Sequence, residues 1–119
     1  MTIQEIADRL VQLCARGQFE SAQKELFADD AISIEPFASP DFEKETKGLN
    51  AIVEKGKKFD SMVEHTNSLE VSPPIIAKNS FAITIRMDVT MKGKGPMDMT
   101  EICLYKVKDG KIISEEFFM

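Results

Sequence analysis

The feature that most constrains this chain is the alternation of apolar and polar side chains over residues 81–91. Every second position is apolar, namely Phe81, Ile83, Ile85, Met87, Val89 and Met91. Successive side chains of a strand point to opposite faces, so this pattern predicts a half-buried antiparallel strand. Turn sequences at 92–96 and 108–110 then predict two further strands, over 97–107 and 111–119.

The N-terminal half of the chain has a helical period instead. Apolar residues recur at spacings of three and four over 2–16, and shorter helical patterns cover 19–27 and 48–62. A short strand over 31–36 separates the second helix from the third, and a strand from His65 onward leads into the alternating segment. Helices first and an antiparallel sheet afterwards predict one α+β domain over residues 1–119, with the helices on one face of the sheet.

Composition excludes several classes of protein. The chain has 119 residues, 43% of them apolar, and a net charge of -5, which disfavours nucleic acid as a partner. No apolar run approaches the roughly 20 residues needed to span a bilayer, and no signal peptide is recognisable. We therefore expect a cytoplasmic protein in which Cys14 and Cys103 are buried, reduced thiols, with a disulfide as the alternative.

Two residues are candidates for acid/base chemistry. Glu35 ends the first strand directly before Pro36, and a carboxylate held in an apolar cavity can exchange protons near neutral pH. The alternative is a glutamate at the rim that faces solvent. His65, the only histidine, shares strand parity with Leu69 and Val71, so it is predicted to point inward, where it could act as a proton shuttle beside Glu35 or Glu101. A structural histidine that caps the sheet is the alternative.

The strand over 97–107 is predicted to form the wall of a pocket. One face is mostly apolar but carries an acid and the only tyrosine, in the series Met97, Met99, Glu101, Cys103, Tyr105 and Val107. If Glu101 instead lies on the outer face, it would pair with Arg86 or a lysine. No HxH or HxxxH spacing is present, so neither a metal ion nor another cofactor is expected.

Three local patterns together resemble a known family. They are Phe27-Ala28-Asp29-Asp30-Ala31 before a strand that ends in Glu35-Pro36, Gly48-Leu49-Asn50-Ala51-Ile52, and 105–112 followed by Glu115, Glu116, Phe117 and Phe118. Their order and spacing resemble the nuclear transport factor 2-like superfamily and, within it, the SnoaL-like domains. This resemblance implies a cone, in which a strongly curved, mainly antiparallel sheet wraps around three helices and leaves a pocket at its open end.

The resemblance also implies roles for individual residues. Glu35 falls where ketosteroid isomerases place their general base, and Glu115 and Phe117 would line the cone, on the strand face shared with Ile113 and Met119 unless a bulge reverses it. The tyrosine and aspartate that bind the oxyanion in those enzymes are replaced by Leu10 and by Ile102 or Cys103. Steroid isomerisation is therefore not expected.

The sequence leaves three functions open. The first is an enzyme of isomerase, cyclase or lyase type that acts on a small apolar or aromatic molecule with Glu35 as acid/base. The second is a non-catalytic domain that binds an apolar ligand, and the third is a dimerisation module. A homodimer through the sheet is expected in any case, because one face of the sheet would expose an apolar set, Ala82, Thr100, Ile102, Leu104 and Phe118.

Overall fold

The computed structural model describes all 119 residues as three helices and seven strands. The helices are α1 (Ile3–Ala15), α2 (Phe19–Leu26) and α3 (Leu49–Met62). The strands are β1 (Phe27–Ile34), β2 (Glu45–Lys47), β3 (Val63–Val71), β4 (Ile75–Ile76), β5 (Ser80–Met91), β6 (Gly95–Lys108) and β7 (Lys111–Phe118). The two short strands β2 and β4 lie in segments that sequence patterns did not assign to strands.

The strands form one curved sheet in the order β2-β1-β7-β6-β5-β3, and β4 adds to β5. Every pairing is antiparallel except that between β1 and β7, which run parallel. The parallel pair joins the strand between α2 and α3 to the last strand of the chain. The predicted α+β class, with three helices on a mainly antiparallel sheet, is confirmed.

Helix α1 is held by an N-terminal cap and by burial of one face. Thr2 and Glu5 form the capping box of α1, in which the Glu5 N–H donates to Thr2 Oγ1 at 3.2 Å and the Thr2 N–H donates to Glu5 Oε1 at 2.8 Å. The core joins the buried face of α1 to β5, with Ile6 and Leu10 packed in one cluster with Phe81 and Ile83. None of the three helices is long and apolar enough to cross a membrane.

Strand β1 begins at Phe27, four residues earlier than its pattern predicts. We expected Asp29 and Asp30 to separate helix from strand, but both lie within β1. They are tolerated there because their side chains are exposed, while Phe27 and Ala31 on either side are buried. A register shift against β7 between Phe27 and Ile32 lets the strand accommodate this segment.

Two irregularities in β3 reverse the predicted orientation of His65. The pairing of β3 with β5 shifts between Val63 and His65, and again between Thr66 and Ser68. Each extra residue moves the following side chains to the other face of the sheet. As a result His65 is exposed on the outer side, whereas Thr66 and Leu69 line the cavity described below. The prediction that His65 points inward is wrong.

A bulge also changes the start of β7. Val107 pairs with Ile112, but the next residue back on β6, Lys106, pairs with Ser114, so Ile113 has no partner. Ile112 is therefore completely buried, and Ile113, which parity predicted to face inward, is only partly covered.

Both cysteines are buried and neither forms a disulfide. Cys14 lies in α1 and Cys103 in β6, and both belong to the core cluster. Burial raises the pKa of the Cys14 thiol to about 12, and it also raises that of Cys103. The two thiols therefore act as apolar core groups rather than as nucleophiles.

The β7 bulge can be tested with a matched pair of substitutions. Ile112→Ala should lower the free energy of unfolding by about 2 to 5 kcal/mol, because it empties a fully buried site. Ile113→Ala removes the same atoms from a partly exposed site and should cost less than about 1 kcal/mol. Urea unfolding measures both. A larger loss for Ile113→Ala would show that β7 lacks the bulge.

Candidate functional site

A cavity of about 680 Å³ lies between α2, α3, the loop after β1 and the inner face of the sheet. Its surface is mainly apolar, with Phe59 of α3 and Leu69 of β3 on two sides. Six methionines contribute to it, namely Met62, Met87, Met91, Met97, Met99 and Met119. Flexible methionine side chains adapt to apolar molecules of different shape.

Six of the seven residues predicted for the site line this cavity. Strand β6 contributes Met99, Glu101 and Tyr105, strand β7 contributes Glu115 and Phe117, and Glu35 follows the end of β1. The alternating pattern of β6 continues without interruption along its pairing with β5, which explains why its predicted inner face is the face that meets the cavity. His65 is the exception, since its exposed side chain does not reach the cavity.

The predicted carboxylate, Glu35, forms an ion pair inside the cavity. Its Oε1 accepts a hydrogen bond from Lys55 Nζ at 3.0 Å, and the side chains of Glu35 and Lys55 are only 24% and 16% exposed. The Glu35 N–H donates to the carbonyl of Lys44 at 2.7 Å, which fixes the backbone where the strand ends. Oε2 of Glu35 makes no hydrogen bond to the protein, so one carboxylate oxygen is available to a ligand.

Lys55 continues the network to a buried carboxyl group. Its Nζ donates to Ser33 Oγ at 2.6 Å, and Ser33 Oγ in turn donates to Glu115 Oε1 at 2.9 Å. Ser33 and Glu115 are direct partners in the parallel β1–β7 pairing, and both are buried. Glu35, Lys55, Ser33 and Glu115 therefore form one continuous chain of hydrogen bonds, referred to below as the polar chain.

Burial dominates the electrostatics of the two carboxyl groups on β6 and β7. It raises the pKa of Glu115 to about 7, against the opposing effects of Lys55 and the Ser33 hydrogen bond, and the charges of Glu35 and Glu101 add to the rise. Burial and the charge of Glu35 also raise the pKa of Glu101, while Lys55 lowers it. Three carboxyl groups thus interact with one partly buried ammonium group.

The two aromatic residues of the site have different surroundings. Tyr105 stacks on Phe81 with ring centroids 5.0 Å apart and meets the edge of Phe27 at 6.4 Å. Burial raises its pKa well above the usual value, so its hydroxyl stays protonated. Phe117 lies beneath Lys55, whose Nζ is 5.7 Å from the ring centroid, and this cation–π contact helps to position the ammonium group.

Sequence reasoning missed Lys55 and Ser33. Lys55 sits in a lysine-rich stretch of α3 beside Lys57 and Lys58, and such stretches are usually solvated. Its spacing of three residues from the buried Ile52 was the available signal, because this spacing places both on one helix face. Ser33 shares its strand face with Glu35, which could have indicated a contact with the same partner.

The polar chain can move a proton and hold a charged oxygen. Glu35 offers a free oxygen, Lys55 is a cation next to it, and Glu115 exchanges its proton near neutral pH. A carboxyl group with a raised pKa, joined by hydrogen bonds to a cavity-lining ion pair, is typical of proton-transfer sites. The chain has no group of three or more histidine, cysteine, aspartate or glutamate side chains arranged to hold a metal ion.

The sheet curves over the three helices, and together they enclose a mainly apolar cavity. This arrangement is the cone fold of nuclear transport factor 2-like proteins. Within this fold class, residues 1–119 match the family model of the SnoaL-like domain over their whole length. The chain therefore belongs to the SnoaL-like domain family, as the sequence patterns indicated. No curated protein matches the chain in a sequence search.

One solved structure supports this family assignment, and two others of lower identity share the fold. A candidate SnoaL-like polyketide cyclase from Mesorhizobium loti, which also carries the description carbohydrate phosphatase, is 32% identical, with 100% of both chains covered and a TM-score of 0.92. A nuclear transport factor 2-like protein from Burkholderia thailandensis is 15% identical over 99% of this chain and 90% of its own, with a TM-score of 0.82. TerC, co-crystallised with polyporic acid, is 14% identical over 97% and 88%, with a TM-score of 0.76.

The raised pKa of Glu115 predicts that stability falls as pH rises. Its folded pKa of about 7 lies above the ordinary value of 4.5, so the folded state holds this proton more tightly than the unfolded state. The resulting stabilisation is present below about pH 4.5 and is lost between about pH 4.5 and 7. Through this group, the free energy of unfolding should be lower at pH 8 than at pH 4.5 by up to about 3 kcal/mol.

Glu115→Gln isolates this effect, because glutamine stays neutral and keeps an oxygen for the Ser33 hydroxyl. Urea unfolding between pH 5 and 8 should show the variant gaining stability over the wild type as pH rises. Glu116→Gln, on the opposite face of the same strand, is the control and should follow the wild-type curve. A constant difference between Glu115→Gln and wild type would contradict a raised Glu115 pKa.

Proposed function

We propose that the cavity binds a small apolar or aromatic molecule and that Glu35 acts on it as a general acid or base. The reaction would be of isomerase, cyclase or lyase type, in which a proton is removed from the ligand and returned to it or to another of its atoms. The observation that carries this proposal is the Glu35–Lys55 pair inside a mainly apolar cavity, with its hydrogen-bonded connection to Glu115.

The geometry supports Glu35 as the group that takes the proton. Its Oε1 is held by Lys55 at 3.0 Å, so the carboxylate has a fixed orientation and its Oε2 is left for the ligand. The mainly apolar walls exclude water around a bound molecule, which strengthens each electrostatic contact with it. Positioned acid/base groups of this kind contribute about 10²- to 10⁴-fold to a reaction rate.

Steroid isomerisation is not proposed. Leu10 and Cys103, at the positions that the resemblance relates to oxyanion donors, are buried in the core, and Ile102 is half exposed on the outer face. The tyrosine and aspartate donors that those enzymes use to stabilise a dienolate are therefore absent from these positions. The description of the Mesorhizobium loti relative as a candidate polyketide cyclase favours a polyketide-like aromatic ligand instead.

A thermal-shift screen of flat apolar compounds and polyketide-like aromatics tests ligand binding. A ligand at 100 times its Kd adds about 2.7 kcal/mol of stability, which should raise the Tm by about 10 °C. Met99→Trp fills part of the cavity from β6 and should reduce the shift at equal ligand concentration. The absence of any shift, or equal shifts for both proteins, would contradict binding in this cavity.

Ligands found in this way then allow a test of catalysis. In D₂O, proton removal and return by Glu35 should place deuterium in the ligand, which mass spectrometry detects. Glu35→Gln should slow this incorporation by about 10²-fold or more, while Glu43→Gln in the exposed loop should leave it unchanged. Binding without incorporation would instead identify a non-catalytic binding protein, which is the second candidate function.

We also propose that the protein forms a homodimer through the outer face of the sheet. Ile102 and Phe118 are direct partners across β6 and β7, and they are 51% and 43% exposed on this face. Leu104 and Ala82, half-buried neighbours in the same pairings, extend the apolar surface. Apolar patches of this kind mark sites of protein association.

Light scattering coupled to size-exclusion chromatography should give a dimer at micromolar concentration. Ile102→Glu places a charge at the centre of the apolar face and should yield a monomer with unchanged circular dichroism. Asn50→Glu adds the same charge on the exposed side of α3 and should remain dimeric. A wild-type monomer at this concentration would contradict the proposal.

We propose the cytoplasm as the compartment of the protein. Both cysteines are free and neither forms a disulfide, although Cys14 and Cys103 lie in the same core cluster. Proteins of reducing compartments commonly retain such buried thiols. A fluorescent fusion that is found outside the cytoplasm would contradict this assignment.

A further inference from the structure

We infer that Lys55 binds an oxygen of the ligand, and that the ligand is an apolar ring compound with a hydroxyl group, such as a phenol or an enol. This inference rests on the proposed binding function and adds the chemical class of the ligand. It starts from the position of Lys55, which is only 16% exposed at the cavity, whereas the side chain of Lys57 on the same wall is 55% exposed.

The hydrogen bonds of Lys55 leave one donor unused. An ammonium group has three N–H donors, and Lys55 uses two of them, toward Ser33 and Glu35. An apolar ligand that fills the cavity displaces the water around this group. A ligand without an acceptor would leave the third N–H unpaired in an apolar site, and that costs binding free energy. Lys55 therefore selects ligands that place an oxygen beside it.

The ammonium group is fixed before a ligand arrives. Ser33 is completely buried on β1, Glu35 follows the end of the same strand, and the Phe117 ring lies 5.7 Å from Nζ. These three contacts hold Nζ in one place, so little side-chain entropy is lost when it binds an oxygen. This fixed position makes Lys55 a donor of defined direction rather than a mobile surface charge.

The neighbouring carboxyl groups favour a hydroxyl over other oxygens. The free Oε2 of Glu35 is an acceptor close to the unused donor of Lys55, and a hydroxyl can satisfy both by accepting from Nζ and donating to the carboxylate. A ketone or ether can only accept. A carboxylate ligand would add a full negative charge beside Glu35, Glu101 and Glu115, which one ammonium group cannot offset.

Four naphthalene probes of similar size separate these chemistries. 2-Naphthol carries the hydroxyl, 2-methoxynaphthalene only accepts, 2-naphthoate is a carboxylate, and naphthalene has no polar group. At pH 8, fluorescence titration of the wild type should give 2-naphthol a Kd about 10-fold or more below that of each other probe. Lys55→Met should raise the Kd of 2-naphthol by about 10- to 100-fold, as expected for the loss of a hydrogen bond to a charged group. The Kd of naphthalene should change by less than about 3-fold.

Two further variants keep this test decisive. Lys24→Met makes the same change at an exposed lysine of α2 that does not line the cavity, and it should not alter any Kd by more than about 3-fold. Lys55→Met alone leaves the Glu35 carboxylate without its partner, which could unfold the protein. The double variant Lys55→Met/Glu35→Gln removes both charges of the pair and avoids this unpaired carboxylate. Thermal unfolding confirms that each variant is folded, and the double variant should also lose the preference for 2-naphthol.

The outcomes separate this inference from the proposed function. If no probe binds the wild type, naphthalene included, binding of apolar rings in the cavity fails and this inference fails with it. If naphthalene binds but 2-naphthol has no advantage, or keeps its advantage in Lys55→Met, the role of Lys55 is overturned while the cavity remains a binding site. Tightest binding by 2-naphthoate would overturn the predicted hydroxyl class.

Discussion

The parallel pairing of β1 with β7 is the interaction on which the site depends. It sets Ser33 directly beside Glu115, although the two residues are 82 positions apart in the chain. A buried carboxyl group without a hydrogen-bond partner would cost several kcal/mol, and here the partner comes only from this long-range strand contact. Lys55 completes the network from α3, so strand pairing and helix packing must both form before the polar chain exists.

The sequence predicted the sheet well where its strands are regular. The alternation in β5 and β6 continues through twelve paired positions without a shift, and it identified the face that carries Met99, Glu101 and Tyr105. The errors lie at the bulges, where His65 is exposed and Ile113 is only partly covered. The alternation of inward and outward side chains can be read from the sequence of one strand. A bulge depends on how that strand pairs with the neighbouring strand, which the sequence of one strand does not show.

The polar chain was harder to predict than the cavity walls. Glu35 could be singled out from its place before Pro36, but its partner Lys55 has no local feature that separates it from Lys57 and Lys58. Only the packing of α3 against the sheet turns one lysine inward and leaves its neighbours exposed. Residue types and spacings predicted the candidate carboxylates, while the contacts that join them depend on tertiary structure.

The energetics of the cluster argue that it is retained for a purpose other than folding. Every buried side-chain nitrogen and oxygen has a hydrogen-bond partner, so the structure accommodates the cluster without an unsatisfied group. Even so, Glu115 keeps its proton to near neutral pH because burial opposes its charge, and three carboxyl groups share one ammonium. Apolar residues of similar volume are often as stable as a buried ion pair, or more so. Because these polar groups lie at the wall of an apolar cavity, their cost is consistent with the proposal that they act on a ligand.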